Sequence, residues 1–142
     1  MSEVVVDVSV VFKWFAPEDD SPAARALQDK MVDGGWTLLA PDLLLAEIAN
    51  ILWKKRDEIP EDEALDTLRD VISSGIEFVT MGRLVSSAYE IGCRFGRTAY
   101  DSLYIALALE HNCDFVTADE RLFNAISAQE PRVKLLRDYV AQ

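Results

Sequence analysis

Short apolar segments alternate with longer helical segments along the chain, and this alternation restricts its fold more than any other feature. The sequence predicts five strands, over residues 4–7, 36–40, 76–80, 114–117 and 133–136. Segments of helical periodicity lie between them and end at glycines and prolines. Strands that alternate with helices in this way predict a parallel sheet covered by helices on both faces. We therefore predict an α/β fold.

The length of the chain indicates a single domain over residues 1–142, which is enough to enclose a substantial core. No apolar run approaches the ~20 residues that a membrane-spanning helix needs. Residues 1–4 carry no basic segment, so we expect no signal peptide. These features predict a cytoplasmic protein with no membrane partner.

The formal net charge of −11 opposes binding to nucleic acid and favours a basic partner. Two local basic clusters remain, residues 54–56 and the pair Arg94 and Arg97. The first cluster also fits the end of a helix, where the helix dipole favours cations. Arg97 is close in sequence to Asp101, and it is our main candidate for contact with a phosphate.

Four carboxylates stand in otherwise apolar segments. Asp7 ends the first predicted strand, Glu47 lies in an apolar helix, Asp101 opens another, and Asp119 follows the fourth strand. Each has a structural alternative, because Asp7 and Asp119 could cap helices and the other two could lie on helix surfaces. Ionised carboxylates are costly in apolar surroundings, and hard divalent cations prefer oxygen ligands. Their joint occurrence favours one shared metal site at the edge where parallel strands end.

Such a site suits the hydrolysis of a phosphodiester bond. Mg²⁺, or alternatively Mn²⁺, lowers the pKa of a bound water and offsets developing charge. Asp7 and Asp101 are the predicted main ligands, with Asp119 bound directly or through water. Glu47 is predicted to bind the metal or to position the attacking water.

Other catalytic centres find little support in the sequence. The chain has a single histidine, His111, and no Cys/His or Ser/His pair that would form a nucleophilic site. Cys93 and Cys113 are predicted to be buried free thiols rather than zinc ligands or a disulfide. The aromatic residues Phe95, Tyr100, Tyr104 and Phe115 are predicted to lie in the core.

Four segments occur together in a recognisable order: Asp7-Val8-Ser9, Glu47 on the third helix, residues 100–108 and Thr117-Ala118-Asp119. In these segments the chain resembles PIN-domain proteins, most of all the small VapC-type toxins of prokaryotic toxin–antitoxin pairs, over essentially its whole length. The resemblance implies a three-layer α/β/α fold with a five-stranded parallel sheet and the activity of a Mg²⁺- or Mn²⁺-dependent endoribonuclease. It assigns the catalytic and metal-binding roles to Asp7, Glu47, Asp101 and Asp119. Ser9 and Thr117 match the hydroxyl positions near that site, where they would orient carboxylates or contact phosphate.

The resemblance also implies partners, namely an RNA substrate, a cognate antitoxin that inserts near the acids, and a second copy in a homodimer. The helix that carries Glu47 has apolar residues on more than one face, which fits either a central core helix or a partner surface. One alternative function is a non-catalytic PIN-like module that binds metal and protein. Another is a phosphatase with Asp7 as nucleophile, but Ser9 stands where a second aspartate is expected.

Overall fold

The computed structural model describes residues 2–139 and contains a five-stranded sheet in the order β3-β2-β1-β4-β5, in which all neighbours are parallel. The strands are β1 (Glu3–Val6), β2 (Thr37–Pro41), β3 (Glu77–Val79), β4 (Asp114–Thr117) and β5 (Val133–Leu135). The predicted parallel sheet is therefore confirmed, with strand ends that differ from the predicted ones by at most one residue.

Helices connect the strands and account for most of the remaining chain. They are α1 (Val8–Val11), α2 (Ser21–Asp33), α3 (Leu43–Lys54), α4 (Glu61–Ile72), α5 (Val85–Phe95), α6 (Ala99–His111) and α7 (Glu120–Ile126). Short 3₁₀ turns occupy Phe12–Trp14, Met81–Arg83 and Leu136–Asp138. Within residues 2–139, no helix has both the length and the apolar character needed to cross a bilayer.

The central strands are covered on both faces, as a three-layer α/β/α arrangement requires. Val4, Val5 and Val6 are consecutive in β1, so their side chains point alternately to the two faces, and all three are fully buried. The seven residues 102–108 of α6 are likewise buried in succession. The core thus extends through the middle of the sheet and into α6.

The strand order reverses between β1 and β4. The chain builds the sheet outward from β1 through β2 to β3, then returns to place β4 on the other side of β1. Val6 of β1 is paired with Val116 of β4, so the residues that follow these two strands emerge side by side. This is the position at which open parallel sheets bind their ligands.

Several local predictions differ from the structure. β1 ends at Val6, and Asp7 caps α1, which was the structural alternative for this residue. Tyr100 is 65% exposed because it lies on the outer side of α6, and Cys93 is exposed as a free thiol.

The helix that carries Glu47 is buried on one side only. Leu44, Ile48 and Leu52 face the core, while Trp53 is 58% exposed. The alternative of a helix surrounded by core on all sides is therefore wrong for α3. Its exposed tryptophan remains available to a partner.

Candidate active site

Asp7 stands at the reversal between β1 and β4 and is held by two hydroxyl side chains. Its Oδ1 accepts from the backbone N and the Oγ of Ser9 at 3.0 and 2.5 Å, and its Oδ2 accepts from Thr117 Oγ1 at 2.6 Å. Ser9 Oγ in turn accepts from Ala118 N at 2.8 Å. Ser9 and Thr117, which were predicted to lie near this acid, both donate to it. The carboxylate is 7% exposed and is locked in one orientation.

Glu47 projects from the second turn of α3 and meets a side chain of α6. Its Oε1 accepts a short hydrogen bond from the hydroxyl of Tyr104. Tyr104 is 3% exposed, and its ring stacks on Phe115 of β4. Tyr104, which donates to the Glu47 carboxylate, is thus itself held in place by the core.

Asp101 lies in the first turn of α6, where its backbone N donates to Thr98 Oγ1, the cap of that helix. Its Oδ2 accepts from Arg97 Nη2 at 3.1 Å. The backbone N of Arg97 donates to Gly92 O at the end of α5, so Arg97 is tied to both helices. Arg97, the predicted phosphate contact, is therefore a direct partner of an acid in this site.

Asp119 is the N-cap of α7 and accepts from the backbone N of Arg121 and Leu122 through Oδ1. It is linked to Asp7 through one hydroxyl, because Asp119 N donates to Thr117 Oγ1 at 3.1 Å. The backbone N of Asp119 thus connects it to the site through Thr117, while its Oδ1 caps α7.

Burial and mutual repulsion of the acids shape the electrostatics of the site. Burial raises the pKa of Asp7 from 3.8 to about 6; bonds from Ser9 and Thr117 lower it and Glu47 raises it. Burial also raises the pKa of Glu47, which the bond from Tyr104 lowers and the charge of Asp101 raises. Glu47 therefore lies close enough to Asp7, and Asp101 close enough to Glu47, for each pair to be destabilised when both of its members are ionised.

The chemistry of this donor set fits a hard divalent cation. Three carboxylates share one neighbourhood in which Arg97 supplies a positive charge, so ionising all of them leaves excess negative charge. Among residues 2–139, no three Asp, Glu, His or Cys side chains are gathered closely enough to form a ready-made metal cage. Instead, Glu47 accepts a hydrogen bond from Tyr104, and Asp101 accepts one from Arg97. Protein donors therefore hold both carboxylates.

Tyr104 is the site residue that sequence reasoning missed, since it was predicted only as a core aromatic. A signal was present, because Tyr104 follows Asp101 by three residues and thus shares its side of α6. Its burial was predicted correctly, but its hydroxyl has a polar partner on another helix. Gly92 was missed as well, and only the packing of α5 against α6 makes it significant.

Other candidates lie apart from these contacts. Residues 54–56 are exposed at the end of α3, where Arg56 stacks on the Trp53 ring at 4.4 Å from its centroid. A cavity of about 730 Å³ is lined by Glu3, His111 and Asp114, which belong to the opposite, amino-terminal edge of the sheet. The carboxylates of the site do not line it.

Comparison with known proteins identifies the family of this chain. The PIN domain family model matches residues 4–128. Ribonuclease VapC3 of Pyrobaculum aerophilum is 29% identical over 124 residues, which cover 84% of this chain and 92% of that protein. Ribonuclease VapC1 of Mycobacterium tuberculosis is 32% identical over 128 residues, which cover 86% of this chain and 90% of that protein.

Solved structures share the fold at lower identity. The Pyrobaculum aerophilum protein PAE2754 matches with a TM-score of 0.69 and 20% identity, over 96% of this chain and 85% of that chain. A chain of a toxin–antitoxin complex from Klebsiella pneumoniae matches with a TM-score of 0.65 and 13% identity, over 94% and 97%. Fold and sequence together define a PIN-domain protein, and the chain belongs to the PIN domain family. Within that family it is of the VapC type.

Proposed function

We propose that this protein is a Mg²⁺- or Mn²⁺-dependent endoribonuclease that hydrolyses RNA phosphodiester bonds, and that it is the toxin of a toxin–antitoxin pair. The observation that carries the proposal is the buried Asp7 at the point where the strand order reverses, with Glu47 and Asp101 on the helices α3 and α6 that pack beside it. The ribonuclease names of its relatives support the reaction and the substrate. A parallel sheet that gathers carboxylates at its ligand-binding edge supports metal-assisted hydrolysis.

Asp7, Glu47 and Asp101 would hold the cation, and Asp119 would contribute its second carboxylate oxygen. A bound Mg²⁺ or Mn²⁺ would neutralise charge on the phosphate and lower the pKa of a water molecule. Ser9 and Thr117 fix the Asp7 carboxylate, because both of its oxygens accept bonds from them. That orientation is then already set before the substrate arrives.

Arg97 would act on the substrate side of the reaction. Arg97 bonds Asp101 through Nη2, and its side chain is 27% exposed, so the rest of the guanidinium can meet an arriving phosphate. A guanidinium with unused donors suits a phosphate that arrives beside Asp101.

We assign this activity to the cytoplasm, and we propose two protein partners there. A net charge of −11 favours an antitoxin segment that carries Arg or Lys, and one structural neighbour comes from a toxin–antitoxin complex. Exposed apolar side chains such as Trp53, Ile72 and Tyr89 favour a second copy in a homodimer. Light scattering of the purified protein tests the dimer, since a monomeric mass would exclude it.

The direct test incubates purified protein with structured RNA in Mn²⁺, in EDTA, and as the Asp7→Asn variant. Cleavage that needs Mn²⁺ and disappears in the variant supports the enzyme. Equal cleavage in all three samples would identify a contaminating nuclease. Metal binding without any cleavage would favour a non-catalytic PIN-like module instead.

Metal addition is expected to stabilise the wild-type protein, because a ligand that binds the folded state alone raises its stability. At a metal concentration 100 times the Kd, the gain is about 2.7 kcal/mol. Asp101→Asn removes one anionic ligand and should reduce the increase in Tm by at least half. Thermal unfolding with and without Mg²⁺ measures this, and the exposed Asp70→Asn serves as control. Equal increases in wild type and Asp101→Asn would count against the site.

Asp119 has a cap role and a proposed metal role that substitution can separate. Asp119→Ala should cost about 1 kcal/mol, because the backbone N of Arg121 and Leu122 lose their acceptor. Asp119→Ser retains a capping oxygen and should stay within about 0.5 kcal/mol of wild type. Both variants should lose roughly 10- to 100-fold in Mn²⁺ affinity. Urea unfolding and calorimetry measure the two effects, and wild-type affinity in Asp119→Ser would assign Asp119 to capping alone.

A further inference from the structure

Tyr104 presents a polar group to the acidic site from within the core. Its side chain is 3% exposed, and its ring lies 5.6 Å from that of Phe115 between centroids, with 16° between the planes. This stacking fixes the ring whether or not the hydroxyl is present. The hydroxyl reaches Glu47 Oε1, which belongs to a different helix and is 57 residues away in sequence.

The Tyr104 hydroxyl is the donor in this contact. A phenol is protonated at neutral pH, and an ionised carboxylate can only accept a hydrogen bond. Among residues 2–139, Tyr104 is the one side chain that donates a hydrogen bond to Glu47. One carboxylate oxygen is thus held by the protein, and the other is left as a free acceptor.

We propose that Tyr104 is a positioning residue for the cation, holding Glu47 Oε1 so that Oε2 is presented as a ligand. The inference rests on the proposed function, because it treats Glu47 as part of the metal site. A hydrogen bond to a ligating carboxylate restricts its rotation, so less conformational entropy is lost when the metal binds. Removing such an outer partner typically costs about 10- to 100-fold in metal affinity.

The test compares Tyr104→Phe with Tyr100→Phe, the same change three residues earlier on the same helix. Tyr100 is 65% exposed, so its hydroxyl serves as the matched control. Calorimetric titration with Mn²⁺ should give a Kd about tenfold higher for Tyr104→Phe and unchanged for Tyr100→Phe. Because the deficit lies in metal affinity, RNA cleavage by Tyr104→Phe should return to the wild-type rate at saturating Mn²⁺.

A spectroscopic readout reports on the hydrogen bond itself. The Tyr104 hydroxyl donates to Glu47, so a cation that binds Glu47 changes the charge on the hydrogen-bond acceptor of Tyr104. Mn²⁺ should therefore perturb the near-ultraviolet absorbance of tyrosine. The difference spectrum should be present in wild type and Tyr100→Phe and absent in Tyr104→Phe. A purely structural tyrosine would not produce this pattern.

The outcomes separate this inference from the function on which it rests. A wild-type protein that neither binds Mn²⁺ nor cleaves RNA would overturn the proposed function. Wild-type binding with an equal or tighter Kd in Tyr104→Phe would overturn the positioning role alone. If Tyr104→Phe is less stable, the change is repeated in a Glu47→Ala background. A further loss of Mn²⁺ affinity there would also overturn the role, because the acceptor is already gone.

Discussion

Asp7→Asn is expected to abolish RNA cleavage, by at least about 1,000-fold, and at the same time to stabilise the metal-free protein. Both effects have one cause. Burial raises the pKa of Asp7 from 3.8 to about 6, so its ionised form, which a cation needs, is costly to the fold. The uncharged amide of asparagine removes the destabilising negative charge, and it also removes the carboxylate that would bind the cation.

The size of the stabilisation follows from the pKa. A shift from 3.8 to about 6 corresponds to about 3 kcal/mol at neutral pH. The amide oxygen of the variant can accept from Ser9, and its NH₂ can donate to Thr117 Oγ1, while the pKa of about 6 already includes the bonds that favour the ionised form. The gain is therefore about 3 kcal/mol, or roughly 9 °C in Tm for a chain of this size.

The effect has a defined dependence on pH. The folded state holds the Asp7 proton more tightly than the unfolded state, so the stability of the wild type falls as pH rises from 3.8 to about 6. The advantage of Asp7→Asn should thus be absent near pH 4 and complete above about pH 6.5. Thermal unfolding in EDTA across this range measures it, with the exposed Asp70→Asn as control. A variant that is less stable than wild type at neutral pH would contradict the argument.

Gly92→Ala is expected to destabilise the fold by about 2 kcal/mol, although alanine is normally the better helix former by about 1 kcal/mol. A Cβ at this position of α5 would lie 2.7 Å from the backbone O of Arg97 and 3.4 Å from Ser102 Oγ. The first atom belongs to the turn that leads into α6, so it cannot move without shifting the helix that carries Asp101. Cleavage should fall by about tenfold as Asp101 and Arg97 are displaced.

Gly82→Ala provides the matched control for that substitution. A Cβ there would meet only Thr80 Cγ2, at an ordinary contact distance of 4.0 Å. Its stability should remain within about 0.5 kcal/mol of wild type. Urea unfolding of both variants measures the difference, and equal free energies of unfolding would show that α5 and α6 can separate without cost.

The positions of the acids in the chain were predicted from sequence, but their partners were not. Asp7 and Asp119 follow buried strands, and the rule that parallel strands end at one edge was enough to bring them to the same side of the sheet. Asp101 was recognised at the start of an apolar helix, and the structure places it in the first turn of α6. Local sequence patterns were therefore enough to predict the fold and the elements on which these acids lie.

Tertiary packing decided what each acid contacts. Thr117 donates to Asp7 across 110 residues, and Tyr104 donates to Glu47 across 57. Such pairs depend on which strands become neighbours and on how the helices are rotated against the sheet. The periodicity of apolar residues in the sequence predicts neither of these. The sequence by itself determined a parallel α/β sheet with acids at one edge, because strand and helix periodicity are local properties. Only the packed structure decided which hydroxyls hold those acids, because a hydrogen bond between distant segments exists only once the core has set their distance.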